Sequence, residues 1–219
     1  IEEFGPIFEA LGLLNTRDAA QMRANMEARK AATPEAAQQR EKLRRAIAAK
    51  TYEFNAHGVE MNQRYVSSAV VSDGTPMPAW TRDPELYCQA TTWPGAHLPH
   101  VWLQREGEPV STLDIAGKGR FTVLTGIGGE AWVDAARAAA ERHGIPVEAF
   151  IIGPSREYED LFGDWAEARE VGEAGCVLVR PDEYVAWRAP DAAEAEKRLL
   201  DVFGRILGRP AREMARAAE

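Results

Sequence analysis

The run Gly126-Ile-Gly-Gly-Glu-Ala131 has the spacing with the most chemistry in it, because it satisfies the Gly-x-Gly-x-x-Ala form of a dinucleotide-binding turn. Such a turn lets backbone amides approach a pyrophosphate at a helix N-terminus. It also needs an acidic residue after the next strand to hold a ribose hydroxyl, and the chain there reads Gly153-Pro154-Ser155. The run is therefore expected to be a turn into a helix, without specific affinity for NAD, NADP or FAD. His97 and His100 are spaced like two metal ligands, with Asp114 further along. A zinc site needs three or four ligands with ordered supporting partners, so the pair is expected to be structural, beside Trp93 and Trp102, and no metal is assigned. Ser111, Asp114 and the histidines supply the residue types of a hydrolytic triad, but no Gly-x-Ser-x-Gly elbow accompanies them. Asn55, His57, Asn62 and Arg64 form a polar cluster, although hydrogen bonds that fix a loop would use the same residue types. No catalytic or cofactor-binding residue is assigned.

Composition bounds what surrounds these residues. In 219 residues, 45% are hydrophobic, enough for one good core with an extension. The 34 acidic residues outnumber the 26 basic ones, giving a net charge of −8, a balance that disfavours a nucleic-acid face. Basic residues do gather at 40–45, but they alternate with Glu41 on a helical pattern and read as a solvated face. No apolar run approaches the ~18 residues of a membrane span. Cys88 and Cys176 are too far apart for a metal or redox pair, and they point to a cytoplasmic protein with reduced thiols.

The elements that must position the candidates follow from pattern. Residues 1–50 should be helical, with Ala19, Met22 and Met26 at helical spacing and Asn15 or Thr16 as a cap. Thr33, followed by Pro34 and Glu35, predicts the start of a second helix running to about Lys50 with Leu43 and Ile47 on one face. A short strand is expected over 65–71. Five prolines between residues 72 and 99 then mark a linker or arm, with the domain boundary inside it. After it come a strand at 121–125, a helix at 130–142, a strand at 147–152, a helix at 158–168, a hairpin from strands 176–179 and 185–188, and a helix at 192–207. Gly144 should end the first of these helices and Asp191 start the last. The order β-α-β-α-β-β-α is the thioredoxin arrangement, an α/β fold. The turn that would carry Cys-x-x-Cys in a redox-active member holds Gly and Ile, and no Pro precedes Cys176, so a scaffold without redox chemistry is expected.

Several stretches carry a resemblance. Gly175-Cys-Val-Leu-Val-Arg-Pro-Asp-Glu-Tyr-Val-Ala-Trp-Arg188 is similar to the end of the C-terminal domain of FAD-dependent aromatic-ring hydroxylases of the phenol and dichlorophenol monooxygenase kind. So, in order, are the stretches 52–65, 68–74, Pro94-Gly-Ala-His-Leu-Pro-His-Val-Trp-Leu103 and Ser111-Thr-Leu-Asp114. The chain departs from that family at His97, where relatives often have Arg. It also lacks the family's N-terminal glycine turn and its Asp-Gly and Gly-Asp segments, and it opens at Ile1 without Met. The resemblance thus implies the C-terminal part of a longer enzyme that uses FAD, NADPH and O₂ to hydroxylate a phenol ortho to its hydroxyl. It implies a helical tail of the FAD and substrate domain at 1–71, with Asn55, His57, Asn62 and Arg64 on a substrate-pocket wall, an arm at 72–98 and a thioredoxin-like domain at 99–219. The partners implied are the N-terminal FAD-binding half, a small phenolic substrate and further copies of the chain in a homo-oligomer, with no nucleic acid, no membrane and no cofactor bound by this chain alone. The residues also admit a stand-alone, redox-inactive thioredoxin-like module for binding or dimerisation.

Overall fold

The computed structural model describes residues 4–14 and 17–209. Contacts divide the chain into two compact units, Ile1–Val59 with Glu85–Tyr87, and Glu60–Pro84 with Cys88–Glu219.

The first unit is helical, with α1 at Gly5–Ala10, α2 at Ala19–Ala28, α3 at Pro34–Ala48 and α4 at Thr51–Phe54, and α5 at His57–Met61 spans the division. Asp18 caps α2 by accepting from the Ala20 amide at 2.9 Å; Asn15 and Thr16, the expected caps, lie outside the described residues. Thr33 caps α3 as its sequence predicts, accepting from the Ala36 amide at 3.2 Å with Pro34 in the first turn. The buried face of α3 differs from the expected one. Its buried residues are Ala36 and Ala46, while the exposed Lys42 places Nζ 2.6 Å from Glu9 of α1, and Lys50, just past the helix, places Nζ 4.0 Å from the centre of the Phe4 ring. Ile47 follows Ala46 by about 100° around the axis and is exposed, and Leu43 is half-buried.

The strands of the second unit begin with a hairpin that the sequence pattern does not announce. Strands β1, Trp102–Arg105, and β2, Glu108–Ser111, pair antiparallel around Glu106 and Gly107, both at positive φ as a tight two-residue turn requires. A short helix α6, Thr112–Ile115, follows. Then come β3 (Phe121–Thr125), α7 (Glu130–His143), β4 (Val147–Ile151), α8 (Asp164–Ala168), β5 (Cys176–Val179), β6 (Val185–Ala189) and α9 (Ala195–Ile206). The expected β-α-β-α-β-β-α order is thus the observed one. The sheet runs β4-β3-β5-β6, with β3 and β4 parallel and the other neighbours antiparallel.

Pleating sends alternate residues to opposite faces, and both faces are covered. Val123, Leu178 and Trp187 join Trp132, Ala135, Ala139, Leu199 and Phe203 of α7 and α9 in one core. Leu124, Val177, Val179 and Val185 join Leu103 of the hairpin, Ile115 of α6 and Trp165 of α8 in the other. Phe121, expected in the core, is half-buried against the first cluster.

Three expected elements change. There is no strand at 65–71: Arg64 makes a single bridge to Ala96, and the Val71 amide donates to the Ala186 carbonyl at 2.8 Å, so this stretch runs along the open edge of β6. The helix expected over 158–168 shrinks to α8, because Tyr158 and Glu159 pair with Ile152 and Gln104, and Gly163 then turns the chain at φ +79°. The last helix begins at Ala195, since Asp191 accepts from the Ala193 amide at 2.9 Å and closes a turn before it.

Candidate functional site

The 60–98 segment covers the edge of β6 through its parts 60–84 and 88–98. Backbone pairs fasten it: the Gly95 amide to the Val185 carbonyl, the Val185 amide to the Ala96 carbonyl and the Leu98 amide to the Glu183 carbonyl, each at 2.8 Å. At their centre Arg188 lies in a strand whose five residues are all buried. Its Nε donates to Asp73 at 2.5 Å, one terminal nitrogen to Glu170 at 2.7 Å and Thr92 Oγ1 at 3.1 Å, and the other to Thr75 Oγ1 at 3.1 Å. The Arg188 and Asp73 side chains are 8% and 7% exposed. Burial pushes the Asp73 carboxyl up, but hydrogen bonds from Arg188 and Thr75 outweigh it and hold the group below the usual carboxylate range. Glu170 sits at φ +54°, a conformation costing on the order of 1–3 kcal/mol, and the Thr91 hydroxyl, the Thr92 amide and Arg188 hold it there. The sequence reading missed this network. Its one signal was a lone Arg in the apolar run Val185-Ala-Trp-Arg-Ala189.

Beside the network lies a cavity of about 190 Å³ lined by Arg64, Cys88 and His97 of this segment, with His100 after it and Leu113 of α6. Arg64 stands 5.0 Å from the centre of the Trp80 ring and makes one long hydrogen bond, 3.3 Å, to the Gln89 carbonyl. Its Nε is buried without a hydrogen-bond partner. Burial lowers the Arg64 guanidinium from its ordinary value, with Cys88 and Glu170 acting the other way. His97 Nδ1 lies 2.9 Å from the Leu98 carbonyl and Nε2 3.8 Å from Glu183, with the ring edge-on to Tyr184. His100 packs edge-on against Trp102. Among the described residues no group of three or more His, Cys, Asp or Glu gathers as a metal site needs.

The four residues assigned to a pocket wall divide between the units. Asn55 ends α4 and His57 starts α5, and both are exposed. Asn62 clamps a loop, donating to the Pro84 carbonyl and accepting from the Gln89 amide at 2.8 Å each. Arg64 alone of the four lines the cavity.

The other motifs have structural work. Gly126 donates to the Glu173 carbonyl at 3.0 Å, and a Cβ there would come 2.5 Å from that same oxygen. The Gly129 amide donates to Gly126, and a Cβ on Gly129 would run into Thr125 Oγ1. Gly153 leaves room for the Ile127 side chain, whose carbons a Cβ would meet at 2.9 Å. These glycines are needed for packing, and the Gly126 and Gly129 amides are engaged by the chain itself. Ser111 and Asp114 form a capping box on α6: the Ser111 amide and hydroxyl donate to the Asp114 carboxylate, which those bonds hold below its usual range. Cys176 is fully buried, and desolvation pushes its thiol far up, which leaves it inert.

Residues 91–210 match the family model described as aromatic-ring hydroxylase, C-terminal. Over 187 residues, 85% of the chain, it is 54% identical to 2,4-dichlorophenol 6-monooxygenase of Delftia acidovorans. Over 202 residues, 92% of the chain, it is 48% identical to phenol 2-monooxygenase of a Pseudomonas species. These matches take up 32% and 33% of the two relatives, so the chain spans about a third of their length. The crystal structure of the flavin-dependent monooxygenase PieE in complex with FAD and substrate superposes with a TM-score of 0.83 at 48% identity, covering 95% of this chain and 36% of PieE. The glycine turn, the capping box and the strand carrying Arg188 all lie inside the matched region, and the chain belongs to the aromatic-ring hydroxylase C-terminal family.

Proposed function

We propose that this chain is the C-terminal portion of a flavin-dependent monooxygenase that hydroxylates a phenol ortho to its hydroxyl, with NADPH as two-electron donor and O₂ as oxidant. One oxygen atom enters a ring C–H bond as a hydroxyl, and the other leaves as water. The observation that carries this reading is about half-identity, over most of the chain, to two enzymes whose names place the new oxygen at carbon 6 of 2,4-dichlorophenol and carbon 2 of phenol, both next to the hydroxyl-bearing carbon. In the one glycine turn of suitable pattern, the Gly126 and Gly129 amides are spent on Glu173 and Gly126, which supports a chain without an FAD or NADPH site of its own. This chain therefore contributes position, not chemistry: it is a scaffold and assembly domain. In this reading residues 1–71 close the FAD and substrate domain, 72–98 are an arm and 99–219 the scaffold. Asn55, His57, Asn62 and Arg64 then stand where a pocket wall would be expected. Two free cysteines and the absence, among the described residues, of any helix long and apolar enough to cross a membrane accord with a cytoplasmic enzyme, and a homo-oligomer is part of the same proposal.

The test is a chimera in which this chain replaces the C-terminal third of the Delftia enzyme. The expected result is FAD-loaded protein with phenol-stimulated NADPH oxidation and a catechol product. A folded, FAD-loaded chimera without phenol turnover would overturn the reading.

A further inference from the structure

We infer that His143 is a proton-operated latch on the last helix: neutral, it seals the end of α9 against α7, and protonation in mildly acid solution frees that end while the sheet stays folded. The inference rests on the packing of α7 and α9 and not on the monooxygenase reading. His143 is the last residue of α7 and is 6% exposed. Neither ring nitrogen has a hydrogen-bond partner, a modest cost for a neutral imidazole and a heavy one for a charged ring. Its ring centre lies 5.9 Å from that of Phe203 of α9, which is fully buried and meets Phe121 of β3 edge-on at 5.1 Å. A charged ring at this place must reach water, and the turn of α9 that carries Phe203 stands in the way. That turn is the part of α9 free to move, because Leu207 and Gly208 beyond it are half-buried and exposed. The charges around the ring act in the same sense. Arg142 precedes it on α7 and Arg209 lies just past α9; burial first, then these two cations, hold the imidazole below its ordinary value, and the Leu200 backbone of α9 offsets them only in part. The acids of the two helices nearest in sequence to the contact, Glu141, Glu196 and Asp201, are exposed. Strand β3 carries no charged residue, and the one acid of β4, Glu148, is paired with Arg120 at 2.6 Å. The C-terminal end of α7 favours a cation, but that effect is small beside the cost of an unpaired buried charge. The sign follows: the folded value lies below the unfolded one of about 6.5, so the seal is complete above that pH and is lost as pH falls through the lower folded value.

The test is amide hydrogen exchange of the whole chain at pH 7.5 and 5.5, read by mass spectrometry and corrected for the intrinsic effect of pH on exchange. Between the two values the end of α9 should lose about tenfold in protection, the consequence of one proton taken up on opening, while β3 and β5 keep theirs. His143→Phe keeps an aromatic ring that packs on Phe203 and cannot titrate, so its α9 protection should be the same at both pH values. Unchanged α9 protection in the unaltered chain would overturn the inference. So would loss of protection in β5 in step with α9, which means unfolding of the whole sheet, or a folded His143→Phe chain that keeps the pH dependence. If His143→Phe does not fold, an NMR titration of the His143 ring in the unaltered chain decides: a midpoint below about 6.5 upholds the latch and one at or above it removes it. The exchange experiment needs neither FAD nor phenol, so it and the chimera can fail separately.

Discussion

Arg188 is a charge placed in a strand that is otherwise a core element, and its energetics depend on every partner being present. Removing one partner of a buried ion pair leaves an uncompensated charge, which costs far more than the intact pair contributes. Asp73→Asn keeps the shape and an acceptor but loses the charge, so it should cost roughly 1.5–3 kcal/mol at neutral pH, the range for hydrogen bonds to charged groups. The pH dependence has a definite sign. The Asp73 carboxyl is held below its unfolded value of about 3.9, so its contribution is complete above that pH and is lost as pH falls toward the lower folded value. Urea unfolding at pH 7, 4 and 3 should therefore show a shallower acid loss in Asp73→Asn than in the unaltered chain; equal slopes would remove Asp73 from this role. Trp187 offers the contrast of a purely packed residue. It is 6% exposed, lies 5.8 Å from Trp132 edge-on and is flanked by the Arg198 guanidinium. Trp187→Ala should cost about 3–5 kcal/mol by denaturant unfolding, and an unchanged midpoint would be incompatible with this packing. Trp187 was legible in the sequence, because its place on a hairpin strand predicts burial. The role of Arg188 was not, because its partners come from positions 73, 75, 92 and 170, and no local pattern encodes pairs that distant.

At the scale of elements, the glycine turn shows how one motif can satisfy a fingerprint and serve packing instead. Strand β3 must pass into α7 beneath the segment that carries Glu173, and side chains at 126 or 129 would strike a backbone oxygen or the Thr125 hydroxyl. Gly128 is different: its φ is +83°, but a Cβ would meet only Ala174 Cβ at an ordinary 3.5 Å. Gly128→Ala should therefore cost only the left-handed backbone penalty, about 1–2 kcal/mol. Gly129→Ala should cost more, because Thr125, whose hydroxyl donates to the Gly175 carbonyl at 2.6 Å, cannot give way without losing that bond. Thermal unfolding of the two variants checks the order, and Gly128→Ala being the worse would contradict it. The strands and helices of the sheet were legible because each has a clear period and punctuation, as at Gly144, which adopts φ +65° at the end of α7. The β1–β2 hairpin and the shortened α8 were not. The first turns on Glu106, a residue that rarely signals positive φ, and the second is cut back by pairings of Tyr158 and Glu159 with distant partners.

For the whole molecule, the question is where the folding unit that contains the sheet begins. Proline content marks residues 72–98 as an ordered linker or arm, and they make an arm's contacts with the sheet. With Val71 they complete the edge of β6, since the amides of Val71, Gly95 and Leu98 donate to Ala186, Val185 and Glu183. They also supply Asp73, Thr75 and Thr92 to Arg188, and the Trp93 indole donates to the Thr75 carbonyl to hold the arm against itself. A chain cut at Pro99 would leave a buried Arg with Glu170 alone and would expose the unpaired edge of a hydrophobic strand, a site for association with other chains. A chain beginning at Glu60 would keep every one of these contacts within one of the two compact units. We therefore expect residues 60–219 to unfold cooperatively as a soluble species, and residues 99–219 to aggregate or to unfold at a markedly lower temperature. Calorimetry and sedimentation of the two truncations make the comparison. Equal stability for both would mean that the arm is an accessory to the sheet, and that the Arg188 network contributes nothing the sheet needs.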